Sequence, residues 1–414
     1  MTMAACQSRD VVPSPVGSNP ARAPAIQLGV RPAYLIDKLP RGALKRRLQA
    51  CKDQPSRPSQ LSIGHRGAPL LFPEHTEESY RAAARQGAGL VECDVTFTKD
   101  LELVCRHAQC DLHETTNILL TPLAATCREP FRPARLDPAT GEVLEPASAT
   151  CCTADLTTQQ FLSLKGKMEG SNPAAQTVED YIQGTPAFRT DLYATGGTLL
   201  THRQSIALLS ELNVKFVPEL KAPEVAIPFA GSYSQADYAR RLIDDFREAG
   251  IPAEDVWLQS FSLEDINLFR EVDPAFARQA VWLDARPYTD PQFVPRVADF
   301  ASLKAQGLNI IAPPLFALLS LDADGTIVPS LYAEAAREAG LELKTWTLER
   351  SGRIAEDVLA GEQSFYYLTI KPALTGDGDI YRVLDVLVRQ AGVTGVFSDW
   401  PATVTYYANC MGLW

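Results

Sequence analysis

A histidine followed by an arginine and a glycine, His65-Arg66-Gly67, opens the stretch of sequence where chemistry collects. Downstream lie Glu92-Cys93-Asp94, then Arg106-His107, then Pro218-Glu219-Leu220-Lys221. Alternate side chains of an extended strand share a face, so Glu92 and Asp94 point one way and Cys93 the other. The same spacing places Glu219 beside Lys221. Two carboxylates converging from one strand suit a hard divalent cation such as Ca²⁺ or Mg²⁺. Taken singly, each motif has a plainer reading: a common triplet, a solvated strand edge, a salt-bridged pair. Taken together, charged groups ending successive strands would be costly to bury unless paired or metal-bound. The constellation describes metal-assisted phosphoryl transfer. Glu92, Asp94 and Glu219 would hold the cation, Arg66 and Lys221 would meet phosphate oxygens, and His65 and His107 would move protons.

These residues need a scaffold that brings strand ends together. From residue 60 onward, apolar strand-like runs alternate with helical stretches, the pattern of a parallel α/β fold. Strands are expected at Leu61–Gly64, Leu90–Thr96, Leu101–Arg106, Lys215–Leu220, Val256–Ser260, Gln279–Leu283, Asn309–Ala312, Leu343–Thr347 and Gly395–Ser398. Helices are expected over Glu77–Gln86, with Thr76 as its cap, and over Tyr238–Ala249, Leu263–Glu271, Ser330–Ala339 and Ile380–Ala391. A TIM (β/α)₈ barrel fits best, with residues 59–107 and 201–410 forming the barrel and active residues at the C-terminal strand ends. Nine candidates for eight places leave one outside the ring. Residues 108–200 break the rhythm with prolines and turns. A loop so long reads as an inserted subdomain or lid after the third strand.

The chain has 414 residues and a formal net charge of −11. That balance argues against a nucleic-acid partner, which would require a basic face. No apolar run approaches the roughly 20 residues of a transmembrane helix. Of the nine cysteines, Cys105, Cys110, Cys127, Cys151 and Cys152 cluster without zinc-site spacing. Either one or two disulfides in an exported protein or reduced thiols in a cytoplasmic one would account for them. Residues 1–58 read as a flexible leader without an apolar signal core, holding a short helix over Arg41–Ala50. Met3-Ala4-Ala5-Cys6 is similar to the end of a lipoprotein signal, which would make the protein lipid-anchored.

The sequence resembles the glycerophosphodiester phosphodiesterase family, specifically its larger exported bacterial branch. The likeness covers about residues 60–405. It rests, in the family's order, on His65-Arg66-Gly67, Pro73-Glu74-His75-Thr76, Glu92-x-Asp94, His107, Glu219-Leu220-Lys221, Ser260-Phe261, Trp346-Thr347 and Asp399-Trp400-Pro401. The resemblance implies a TIM barrel that hydrolyses glycerophosphodiesters to sn-glycerol 3-phosphate and an alcohol. It implies Ca²⁺ or Mg²⁺ on Glu92, Asp94 and Glu219, phosphate on Arg66 and Lys221, and acid/base catalysis by His65 and His107 in an order left open. A hydroxyl of the glycerol could attack first, giving a cyclic phosphate that water opens. Glu74 joins the site in an unassigned role. Trp346 packs either against the glycerol or a lipid-like leaving group, or in the core. His107-Ala108-Gln109 stands where the family usually has His-Asp, and Asp111 or His113 is a candidate substitute.

His202 reads as structural, Asp399 as a brace at the barrel mouth, and Asp322-Ala323-Asp324-Gly325 as a tight turn. Two rivals remain: a phospholipase D-like enzyme acting on lysophospholipids, and a non-catalytic phosphodiester-binding barrel. A periplasmic or extracellular location is expected, with a cytoplasmic one as the alternative. The oligomeric state is left open.

Overall fold

The computed structural model of the protein describes residues 25–190, 196–290 and 292–414. Eight parallel strands close into a ring: β1 (Ser59–Gly64), β2 (Ala88–Phe97), β3 (Lys215–Leu220), β4 (Gln259–Ser260), β5 (Val281–Leu283), β6 (Ile310–Ala312), β7 (Glu342–Leu348) and β8 (Val393–Ser398). Closure comes from β1, which pairs in parallel with both β8 and β2. The ring's interior is filled by Ile63, Leu90, Val217, Val281, Ile310 and Phe397, inward residues from alternate positions of the strands.

The helices start where side chains can cap them. Numbered along the chain, those packed on or beside the ring are α1 (Arg31–Lys38), α2 (Ala43–Ala50), α3 (Glu77–Arg85), α4 (His202–Glu211), α5 (Gln235–Glu248), α6 (Leu263–Val272), α7 (Val297–Ala305), α8 (Leu331–Glu338), α9 (Asp379–Arg389) and α10 (Ala402–Met411). Thr76, Thr201, Ser234, Ser262 and Ser330 each accept a backbone N–H from the first turn of the helix they precede. The five sequence-expected helices after residue 76 lie within a few residues of α3, α5, α6, α8 and α9.

The expected third strand is not part of the ring. Leu103–Cys105 folds back antiparallel on β2, with Cys105 opposite Val95. Only a short turn separates it from β2, and a parallel neighbour would require a crossover of a dozen or more residues. The insertion therefore leaves the barrel from an antiparallel flap at the top of β2. The flap carries His107 and is joined to β2 by the Cys93–Cys105 disulfide.

The insertion has a core of its own, including Leu112, Ile118, Phe161 and Tyr181. Two further disulfides, Cys110–Cys152 and Cys127–Cys151, cross it. The expected flexible leader is corrected for its described part. The helices α1 and α2 bury Leu35, Ile36 and Leu48 against the barrel. Arg31 lies 3.5 Å from the buried Glu349 and stacks over the Trp400 ring. A fourth disulfide, Cys51–Cys410, ties this segment to α10. The helical pattern of Leu35, Ile36 and Leu39 was obscured by the proline- and alanine-rich sequence around it. Met3-Ala4-Ala5-Cys6 lies outside the described residues. The four disulfides among the described residues exceed the one or two expected. Thiol titration in denaturant should find eight more reactive thiols after reduction than before it.

Candidate active site

The His65-Arg66-Gly67 turn caps β1 with unusual backbone. Arg66 has φ 55° and Gly67 φ 97°. A Cβ on Gly67 would lie 2.3 Å from Ser79 Oγ, so only glycine fits. That serine hydroxyl donates to Arg66 O and accepts from Ala68 N, which locks the turn. The left-handed bend aims the Arg66 N–H into the barrel, where it donates to Glu92 at 2.9 Å.

Register brings the carboxylates together. Glu219 on β3 pairs directly with Asp94 on β2, and Glu92 lies two residues below on the same face. One oxygen from each of Glu92, Asp94 and Glu219 lies within 4.8 Å of the others. All three residues are buried. Burial, followed by the charges of Asp94 and Glu219, pushes the Glu92 carboxyl well above the usual range. Burial also lifts Glu219 to about 7, although Lys221 Nζ lies 2.7 Å away and pulls it down. Burial pushes Asp94 the same way, but His75 and Lys221 outweigh it and hold that carboxyl well below. Asp94 Oδ1 is buried without a hydrogen-bond partner among the described residues, while Oδ2 meets His75 Nε2 at 2.9 Å. Clustered buried oxygens, one of them unpartnered, fit a hard divalent cation. Gln259 on β4 donates to Glu92 at 2.7 Å and fixes the outer side of the cluster.

The two histidines differ in their support. His65 Nδ1 lies 2.5 Å from Asp399 Oδ1, leaving Nε2 to face Glu92 at 3.8 Å. Burial lowers the His65 pKa to about 4 despite Asp399. His107 stands on the flap in the same cavity, and burial together with Arg66 and Lys221 pushes its pKa well down. Asp111 does not pair with the His107 ring. It accepts from Ala108 N at 3.0 Å and so shapes the loop behind His107. Buried Arg106 donates to the carbonyls of Cys105, Thr115 and Glu74, tying that loop down. His113 stacks on Tyr181 in the insertion, and His202 pairs with Asp245 outside the ring.

The seven main candidates, with Trp346, line one cavity of about 380 Å³. Its far wall is aromatic: Trp346 contacts Phe261, Tyr288 and Tyr366 edge to face, and Phe261 and Tyr288 are exposed at the rim. Glu74 lies just behind Arg66, accepting from its guanidinium at 2.8 Å. Burial raises Glu74 to about 8.

Several residues at the site carry a weak signal in the sequence or none. His75 and Gln259 were visible as polar residues of motif and strand end. Arg350 follows the end of β7, where a site residue belongs. Glu169 and Arg189, from the insertion, carried no signal in the sequence. Asp322 accepts the N–H groups of Asp324 and Thr326, forming the turn expected there.

The closed ring of eight parallel strands is a TIM barrel whose charged strand ends meet in one cavity. A family model for the glycerophosphoryl diester phosphodiesterase family matches residues 65–403, and the chain belongs to that family. It is a phosphoric diester hydrolase that cleaves glycerophosphodiesters. An Arthroderma benhamiae protein named simply an extracellular protein is 51% identical over 247 residues, 59% of this chain and 100% of that protein. A Bacillus subtilis glycerophosphodiester phosphodiesterase is 42% identical over 57 residues, 14% of this chain and 19% of the relative. A Silicibacter pomeroyi crystal structure, named for the glycerophosphoryl diester phosphodiesterase family, shares the fold. Its TM-score is 0.54 at 18% identity, with 89% of this chain and 98% of that one covered.

A cation that binds the folded carboxylate cluster must stabilise the fold. Adding Ca²⁺ or Mg²⁺ to EDTA-stripped protein should raise Tm by about a few degrees. Glu92→Gln should abolish the shift, as read by differential scanning fluorimetry.

Proposed function

We propose that the enzyme hydrolyses glycerophosphodiesters to sn-glycerol 3-phosphate and an alcohol by histidine acid/base catalysis that depends on a divalent cation. The observation that carries this reading is the convergence of Glu92, Asp94, Glu219, Arg66, Lys221, His65 and His107 on one cavity. Glu92, Asp94 and Glu219 would hold Ca²⁺ or Mg²⁺, which when bound offsets their repulsion and supplies positive charge to the phosphate. Arg66 and Lys221 flank the same space and neutralise phosphate oxygens.

His65 is the base. Its Nδ1–H is committed to Asp399, so Nε2 carries the lone pair that can take a proton from the glycerol hydroxyl or from water. His107 is the acid that protonates the departing alkoxide. After burial, Arg66 and Lys221 are the charges that hold its pKa down, and a bound phosphodiester anion offsets both. Attack by the glycerol hydroxyl would give a cyclic phosphate, with the two imidazoles exchanging roles when water opens it. Glu74, beside Arg66, keeps that guanidinium at the cavity wall.

The exposed Phe261 and Tyr288 favour a second substrate class, lysophospholipids, whose apolar portion would meet the aromatic wall. Four disulfides support an exported protein, periplasmic or extracellular, as does the extracellular name of the Arthroderma benhamiae relative. Residues 108–200 would act as a subdomain framing the mouth.

His65→Ala and His107→Ala should each lower kcat by roughly 10²–10⁴-fold. EDTA should abolish glycerol 3-phosphate release from glycerophosphocholine, and Ca²⁺ or Mg²⁺ should restore it. Full activity after chelation and dialysis overturns the metal role. A histidine variant within about threefold of the parent removes that residue from the mechanism. A panel that includes lysophosphatidylcholine decides the second substrate class.

A further inference from the structure

The insertion reaches the catalytic residues through one carboxylate. Glu169 lies 3.2 Å from Arg66 Nη1 and 3.2 Å from Arg189 Nη2, and it also accepts from Arg350. The same Arg66 nitrogen also donates to Glu74 at 2.8 Å. Arg350 in turn donates to Asp399 Oδ2 at 3.3 Å, and the other oxygen of Asp399 holds His65 Nδ1. An unbroken polar chain therefore runs from the insertion through Arg350 and Asp399 to His65, with a branch to Arg66.

The segment that carries Glu169 is anchored. Lys167 Nζ donates to the carbonyls of Glu114, Met168 and Gly170, and Lys165–Gly166 pairs with Gly197–Thr198. Glu169 is thus delivered at a fixed place among three guanidinium groups that would otherwise repel one another. Arg189 is buried, and among the described residues its ion pair is with Glu169.

We propose that Glu169, a residue of the insertion, is a positioning residue for the barrel's chemistry. It holds Arg66 on the phosphate side and, through Arg350 and Asp399, the ring of His65. The insertion is then a working part of the catalytic centre as well as a rim. This inference rests on the roles proposed above for His65 and Arg66.

Glu169→Gln preserves size and removes the charge. With glycerophosphocholine it should lower kcat/KM by about 10–100-fold, both raising KM and lowering kcat, while Tm stays near that of the parent. Glu169→Asp should recover part of the loss. Histidine ¹⁵N NMR, with the His65 signal identified by its loss in His65→Asn, should show one Nδ1–H tautomer in the parent and a mixture in Glu169→Gln. Arg135→Ala, which breaks an exposed ion pair with Glu145 elsewhere in the insertion, should change neither readout. The proposal is overturned if Glu169→Gln stays within about threefold in kcat/KM. It is equally overturned if the His65 tautomer is unchanged, or if activity falls only with the folded fraction. Should His65→Asn itself remain active, the site reading fails first, and that result is separate from the outcome at Glu169.

Discussion

Three carboxylates are buried together at the open end of a barrel, and most of the surrounding structure answers that fact. Unpaired charge in such a place is expensive, so each carboxylate has fixed company. Glu219 has Lys221, Asp94 has His75, and Glu92 has the Arg66 N–H and the Gln259 amide. The compensation is incomplete: Glu92 and Glu219 are both pushed upward, and Asp94 keeps an unpartnered oxygen. That residual deficit is of the kind a hard cation would offset. The strained turn at Arg66 belongs to the same account, because only a left-handed residue followed by Gly67 lets the backbone N–H face inward.

A second set of contacts fixes the two imidazoles. His107 does not stand on a ring strand. It stands on a short flap whose direction is set by antiparallel pairing with β2, by the Cys93–Cys105 bond and by buried Arg106. Cys93 lies between two of the clustered carboxylates in sequence, yet faces the opposite side of β2. One strand thus presents its chemistry inward and its covalent staple outward. On the other side of the cavity, Asp399 and Arg350 brace His65 from β8 and from the end of β7.

Much of this was legible in the sequence. The motifs lie at strand ends, and register alone brings Asp94 and Glu219 together once β2 and β3 are neighbours. The short turn between Phe97 and Leu103 already excluded a third parallel strand, although the apolar run Leu101–Arg106 invited one. The helices α1 and α10 were harder to see. Ala402–Met411 is rich in threonine and tyrosine, residues that favour strands, and tertiary burial overrides that preference. Glu169 and Arg189 were out of reach for a different reason. A charged residue in a loop-rich insertion acquires meaning only when the fold brings it beside its partners. Asp399 fell between these cases, readable as a brace but not as the partner of one particular imidazole.

The Cys51–Cys410 bond spans 359 residues and draws the start and finish of the barrel to one place. Topologically, the chain is nearly a circle, held shut once by β1 against β8 and again by sulfur. A circle has no privileged beginning. The order of segments could be rotated, with new ends opened in an exposed turn of the insertion such as Thr140-Gly141, outside the ring of barrel strands.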